Sequence, residues 1–238
     1  SGAPNQSYVN NVYLSQHDSN LMYVAFNHHK YGDFKPYVFK SEDKGNSWKS
    51  ISNNLPERGS VYSIEEDHVD KDLIFCGTEF GVFFSPNKGD RWKELGNGLP
   101  TIAVRDIAIQ KRENDLVLGT FGRGFYVMDD YSALRNIENS DISIKAEIFP
   151  IRNALMWEKA MPLGLPGKAF QGDQFYSADN LDPVAIVSYY YNDTHKSIKD
   201  KRQKKEKEQI KSEEDAPYPS YDDLYAEVNE EKPNLIFT

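Results

Sequence analysis

The sequence has one cysteine, Cys76, in 238 residues, which excludes an internal disulfide framework. Cys76 sits in the apolar run Leu73-Ile74-Phe75-Cys76 and reads as a small core residue, not a reactive thiol. No signal peptide and no apolar run of about 18 residues is present, so no membrane span is expected. Basic excess is lacking too. Lys and Arg number 28 against 37 Asp and Glu, a net charge of −9, which argues against a nucleic-acid surface. Histidine is scarce, at five. His28-His29 with His17 or Asp33 invites a metal reading, but adjacent histidines on an extended segment point to opposite faces. An exposed loop is expected there, with no metal and no cofactor. Gly119-Thr120-Phe121-Gly122-Arg123-Gly124 lacks the Gly-Lys-Ser/Thr ending and the following helix of a phosphate loop.

What is present is a repeat. Ser41-Glu42-Asp43-Lys44-Gly45-Asn46-Ser47-Trp48 returns in weaker form as Ser85-Pro86-Asn87-Lys88-Gly89-Asp90-Arg91-Trp92, with Ser, Gly and Trp each 44 residues apart. The octet reads as a tight turn between strands. Gly45 supplies a positive φ, Asp43 accepts hydrogen bonds from turn N–H groups, and Trp48 packs back over the hairpin. Asn87 can serve as Asp43 does. Repeat one runs from about Ser7 to Pro56, with strands in Tyr8–Leu14, Leu21–Phe26 and Tyr37–Lys40 and an eight-residue expansion in the loop 27–36. Repeat two runs from about Gly59 to Pro100. Repeat three begins at Ile102-Ala103-Val104-Arg105 and ends at Met128-Asp129-Asp130, without the octet. Units of about 40–50 residues with three or four short strands read as propeller blades. Three do not close a ring, and the opening Ser1-Gly2-Ala3-Pro4 looks like a repeat seam, so the chain reads as a fragment whose upstream repeats are missing.

After Asp130 the period stops. A linker with a short strand is expected over 131–150. Residues 151–181 are rich in Gly, Pro and aromatics, and Ala185–Tyr191 reads as a strand. Residues 196–215 carry eight Lys/Arg and six Asp/Glu, a solvated helical excursion and not a basic arm. Ser220-Tyr221-Asp222-Asp223 starts a short helix through Val228, and Leu235–Thr238 reads as a strand. The fold class is therefore all-β: a partial β-propeller of about three blades over 1–130, a linker over 131–150, and the start of a β-sandwich-like accessory domain over 151–238 with a charged helical insertion at 196–231.

The pattern S-x-D-x-G-x-[ST]-W resembles the Asp-box (BNR) repeat of β-propellers such as sialidases, sortilin/Vps10 receptors and some glycoside hydrolases. The resemblance implies a fold-stabilising turn, away from any active site, at Ser41, Asp43, Gly45, Trp48 and at Ser85, Asn87, Gly89, Trp92. Residues 33–41, 77–84, 99–116 and 121–130 together resemble the C-terminal part of large bacterial exported proteins labelled glycosyl hydrolase or sortilin/Vps10-like. That resemblance implies a secreted or periplasmic location and, as partner, the missing N-terminal blades of the parent chain. It implies a binding module for a polypeptide or glycan. The alternative is a sialidase- or endoglucanase-like glycoside hydrolase with its catalytic residues mostly in the missing blades. Hydrolysis needs two placed carboxylates. The candidates here are Glu79, Arg105, Asp106 and Arg123, the two arginines in strand-like contexts. Glu65-Glu66-Asp67, after an inner-strand candidate, offers further carboxylates, with solvated turns or hydrogen-bonded polar residues as the alternative reading.

Overall fold

Runs of β-branched and aromatic residues, each closed by Gly, Asn or Asp, form antiparallel sheets in sequence order. The computed structural model describes residues 2–137, 146–158, 182–191, 196–212, 215, 217–231 and 236. The chain divides into two compact units, Ser1–Ser143 with Ile148–Tyr189, and Ile144–Glu147 with Tyr190–Thr238.

In the first unit, β1 (Tyr8–Leu14), β2 (Met22–His28), β3 (Asp33–Ser41) and β4 (Lys49–Ser50) make one four-stranded sheet in that order. β5 (Val61–Glu66), β6 (Ile74–Thr78), β7 (Gly81–Ser85) and β8 (Lys93–Glu94) make the second. β9 (Val104–Gln110), β10 (Asp115–Thr120) and β11 (Phe125–Met128) make a third of three strands. Neighbouring sheets meet through their first two strands, β1 and β2 with β5, and β5 and β6 with β9. The architecture is all-β, three successive sheets fanned in the manner of propeller blades.

Two apolar layers hold the fan together. Tyr23, Val38 and Ile51 of the first sheet pack on Ile64, Ile74, Cys76 and Trp92 of the second. Phe75, Val82 and Phe84 of the second pack on Val104, Ile107, Leu116 and Leu118 of the third. Successive side chains of a strand take opposite faces. The middle sheet is thus covered on both sides, and every position of β6 and β7 is buried. Cys76 lies in the first layer, where burial pushes its thiol pKa far up.

Several expectations are corrected. The 27–36 expansion is largely strand: β2 and β3 lengthen to His28 and Asp33 around a single 3-10 turn, His29–Tyr31. The stretch after Asp130 opens with a packed 3-10 helix, Tyr131–Asn136, whose Tyr131 and Leu134 join the second apolar layer. Asp130 starts it, with its side chain accepting from Ser132 N. The strand expected over Ala185–Tyr191 is confined to β13 (Tyr189–Tyr191), paired with β12 (Ala146–Ile148); residues 185–188 carry no strand assignment. In the second unit, α1 (Ile198–Lys211) is polar all round and α2 (Tyr221–Val228) begins with a Ser220–Asp223 capping box. Arg202 joins them, its Nε 2.5 Å from Glu227 and its Nη1 2.6 Å from Glu206. The stretch 159–181 and the Leu235–Thr238 strand, apart from Ile236, lie outside the described residues.

Candidate functional site

One end of the sheets is built from turns. Ser41 Oγ donates to Asp43 Oδ1 (2.8 Å) and accepts from Gly45 N (2.8 Å), while Asp43 accepts from Ser47 N (2.8 Å) and Ser47 Oγ (2.6 Å). These bonds, those from Ser47 foremost, hold the Asp43 carboxyl at about 2. In the second octet Asn87 Oδ1 accepts from Ser85 Oγ (2.7 Å) and Arg91 N (2.9 Å). Arg91 has no hydroxyl, so the counterpart of the Ser47 Oγ bond is lost. Gly45 and Gly89 stand at φ +88° and +90°. The lysine before each glycine is left-handed too, and its N–H stitches the turn to the preceding one, Lys44 to Asn20 O and Lys88 to Asp72 O. Repeat three keeps a similar stitch without the octet: Asp130 has φ +45° and Tyr131 N donates to Asn114 O.

At this end, adjacent carboxylates at and just after the end of β5 reach opposite neighbours. Glu66 is fully buried and accepts from Ser15 Oγ (2.8 and 2.9 Å) and Gln16 N (2.8 Å) of repeat one. Asp67 is fully buried and accepts from Arg135 Nε (2.8 Å), Arg135 Nη2 (2.9 Å) and Tyr131 OH, beyond repeat three. Burial alone would raise the Asp67 pKa, but the bonds from Arg135 and Tyr131 outweigh it and hold the carboxyl below the usual range. Glu66 and Asp67 are therefore hydrogen-bonded and not solvated, and they clasp the second sheet to repeat one and to the segment after repeat three.

The other end, carrying the β2–β3, β6–β7 and β10–β11 hairpins, is different in kind. Each first strand slips register by one residue there, between Val9 and Asn11, between Val61 and Ser63, and opposite Gly119–Thr120. The extra residues are Asn10, Tyr62 and Arg105, at equivalent places in the three repeats. A bulge re-aims one side chain out of the pleat. Asn10 Nδ2 donates to Val61 O (2.5 Å) on the next sheet. Tyr62 meets Arg105, whose Cζ lies 3.7 Å from the Tyr62 ring centre and 5.2 Å from that of Phe121. Burial raises the Tyr62 pKa, with Arg105 opposing and Glu79 adding.

The hairpins carry the remaining candidates. Thr78 Oγ1 and Thr120 Oγ1 close their turns alike, donating to Gly81 O (3.0 Å) and Gly124 O (2.7 Å). Glu79 N and Phe121 N then donate to Ser60 O and Ala103 O, so Glu79 and Phe121 are counterparts. Of the four candidates, Arg105 lies over Tyr62, Glu79 is near enough to Tyr62 to raise its pKa, and Asp106 follows Arg105 in sequence. Arg123 is not in a strand but in the exposed β10–β11 turn. Among the described residues no carboxylate forms an ion pair with Arg105 or Arg123. Phe80 and Phe121 are exposed at this end, and Arg58 Cζ lies 5.5 Å from the Phe34 ring centre.

One residue of this region escaped the sequence reading. Tyr62 looked like an ordinary strand residue; its alignment with Arg105 across repeats was the available signal. Glu65, a carboxylate candidate in sequence together with Glu66 and Asp67, is half-buried, unlike those two, and accepts from Tyr13 OH (3.2 Å). Gln16 Nε2 donates to Tyr13 OH (2.7 Å) and Lys111 Nζ to Gln16 Oε1 (2.6 Å), so the chain of bonds crosses all three repeats. Burial pushes the Glu65 carboxyl up to about 7 against the pull of Tyr13 and Lys111, with Asp106 and Glu66 adding to the rise. His17 and His28 are drawn apart: His17 Nε2 lies 2.8 Å from Asp67 O, and His28 stacks on Tyr31 at 4.4 Å. Among the described residues no three His, Cys, Asp or Glu side chains converge as for a metal ion.

No protein-family model matches the chain, and no curated protein matches it. Solved structures align with about half of it. A GH74 enzyme of Niastella koreensis does so at TM-score 0.42 and 20% identity, over 51% of this chain and 21% of that one. The GH74 xyloglucanase of Xanthomonas campestris aligns at TM-score 0.42 and 13% identity, over 53% and 21%. The extracellular domain of a one component system from B. thetaiotaomicron aligns at TM-score 0.41 and 19% identity, over 55% and 16%. The chain spans about a fifth of the length of these proteins or less.

Proposed function

We propose that this chain is part of an exported Asp-box propeller whose hairpin end binds a glycan. The observation that carries the reading is the Tyr62–Arg105–Phe121 stack at two inner-strand and hairpin positions, with Glu79 beside it and Phe80 and Phe121 exposed. Exposed rings offer faces to the apolar side of a sugar, and flanking carboxylates accept from its hydroxyls. The partner implied is a set of further blades. The outer face of the first sheet exposes Val12 and Leu14, and that of the third exposes Phe125 and Val127. Each is the face a further sheet would cover.

A second reading, glycoside hydrolysis, is favoured by Glu65 alone. A carboxyl held near 7 beside Asp106 has the protonation that a general acid needs. One screen tests both readings: affinity gels and reducing-sugar release, run over neutral and acidic polysaccharides. Retardation without new reducing ends is the result expected. New reducing ends that Glu65→Gln abolishes would establish the hydrolase. No retardation and no cleavage with any polysaccharide would refute the glycan reading.

A further inference from the structure

The chemistry of Arg105 narrows the ligand, on the premise that the hairpin end binds glycan. An exposed arginine of a chain with net charge −9 ordinarily finds a carboxylate, and acids are near: Glu79 acts on Tyr62, and Asp106 follows Arg105 in sequence. Neither comes within ion-pair distance of it among the described residues. Asp106 Oδ1 instead accepts from Ile107 N at 3.0 Å. Arg105 is held by rings, Tyr62 at 3.7 Å and Phe121 at 5.2 Å from its Cζ. Rings over a guanidinium occupy its faces and leave its N–H edge free in the plane. That edge is a fork of donors whose geometry matches a carboxylate, two parallel bonds at once. The bulge at Arg105 fixes the backbone from which the fork is presented.

We propose that the hairpin end binds a carboxylate-bearing polysaccharide, with Arg105 gripping the carboxylate and Phe121 stacking on an adjacent ring. Glu79 and Asp106 set the spacing. Their charges repel a densely anionic chain and accommodate one in which neutral sugars separate the acids. A polymer alternating a uronic acid with a neutral sugar has that pattern.

The test uses hyaluronan, which alternates in this way, its carboxyl-methylated form, dextran sulfate and neutral xyloglucan. Binding to the 238-residue chain is measured by affinity electrophoresis and calorimetry, with Arg105→Lys and Tyr62→Leu alongside. The expected result is binding of hyaluronan, loss of it on methylation, and a roughly tenfold or greater weakening by Arg105→Lys, which keeps the charge and removes the fork. Tyr62→Leu weakens it similarly by freeing the guanidinium. Arg105 is exposed, so Arg105→Lys leaves the melting temperature in place. Equal binding of methylated hyaluronan or xyloglucan, unmoved by Arg105→Lys, overturns this inference and leaves the glycan reading standing. Tighter binding of dextran sulfate than of hyaluronan overturns the spacing argument. Binding of none of the four overturns the inference, and the glycan reading fails separately only if the wider screen is also negative.

Discussion

Trp48 and Trp92 occupy the same place in two octets, yet their replacement by alanine should have unequal cost. Trp92 is 2% exposed, lies in the layer between the first two sheets, and donates from Nε1 to Ile51 O at 2.7 Å. Its backbone is gripped by Asn54, which donates to Trp92 O (2.8 Å) and accepts from Trp92 N (2.8 Å). Trp48 is only half-buried, and its Nε1 bonds back to Gly45 O at 3.0 Å within its own turn. The reason is geometric: Trp92 packs on Ile51 of the preceding sheet, whereas Trp48 folds back on its own turn. Removing a buried large aromatic costs about 3–5 kcal/mol, so Trp92→Ala falls in that range. Scaling by the smaller buried area gives Trp48→Ala about 1–2 kcal/mol. Trp92→Phe isolates the hydrogen bond, worth about 1–3 kcal/mol because the Ile51 carbonyl is left buried and unpaired. Urea unfolding followed by far-UV circular dichroism avoids relying on tryptophan as the probe. Equal losses for Trp48→Ala and Trp92→Ala at unchanged m-value would refute the preceding-sheet argument.

The clasp and the inner-strand network give two more expectations. Arg135→Met strands the buried Asp67 carboxylate and should cost about 3–5 kcal/mol; Asp67→Asn added to it should recover part of the loss, and a single-variant loss under about 1 kcal/mol in the same unfolding assay would show the pair to be incidental. Glu65 binds its proton more tightly folded than unfolded, so its contribution falls as pH rises from about 4.5 to about 7. Glu65→Gln should therefore raise the melting temperature at pH 8 and leave it unchanged at pH 4.5, whereas a pH-independent difference in calorimetric scans would remove burial as the cause.

The repeat was legible because the octet is written in residue types that its hydrogen bonds demand. Ser41 must both donate and accept, Asp43 must accept three ways, and Gly45 must take a positive φ, so composition and spacing reveal the turn. Asn87 was readable as a substitute for the same reason. The strands followed from alternation, and the capped start at Ser220 from its local chemistry. Other features depended on contacts between distant residues. Glu65-Glu66-Asp67 is one acidic run in sequence, but its members face solvent-accessible space, repeat one and the segment after repeat three in turn. No local pattern separates them. Tyr131 and Leu134 looked like linker because the repeat period had ended, while their burial depends on the apolar layer of the second and third sheets, Phe75 among it.

The bulges explain why the hairpin end carries so little motif. A bulge requires one extra residue and places few demands on its identity, since the backbone pairing on either side fixes the geometry. At the octet end repeats one and two use nearly the same residue types for the same turn. At the bulge the three repeats hold Asn10, Tyr62 and Arg105, three unrelated side chains on the same backbone distortion. Asn10 is absorbed in clamping Val61 O, with Asn27 Nδ2 donating to its Oδ1. Among the described residues Tyr62 and Arg105 are absorbed by each other and by Phe121, and Arg105 is exposed. Stability is thus secured where residue identity is constrained, which leaves the opposite end free to vary its chemistry without loosening the sheets.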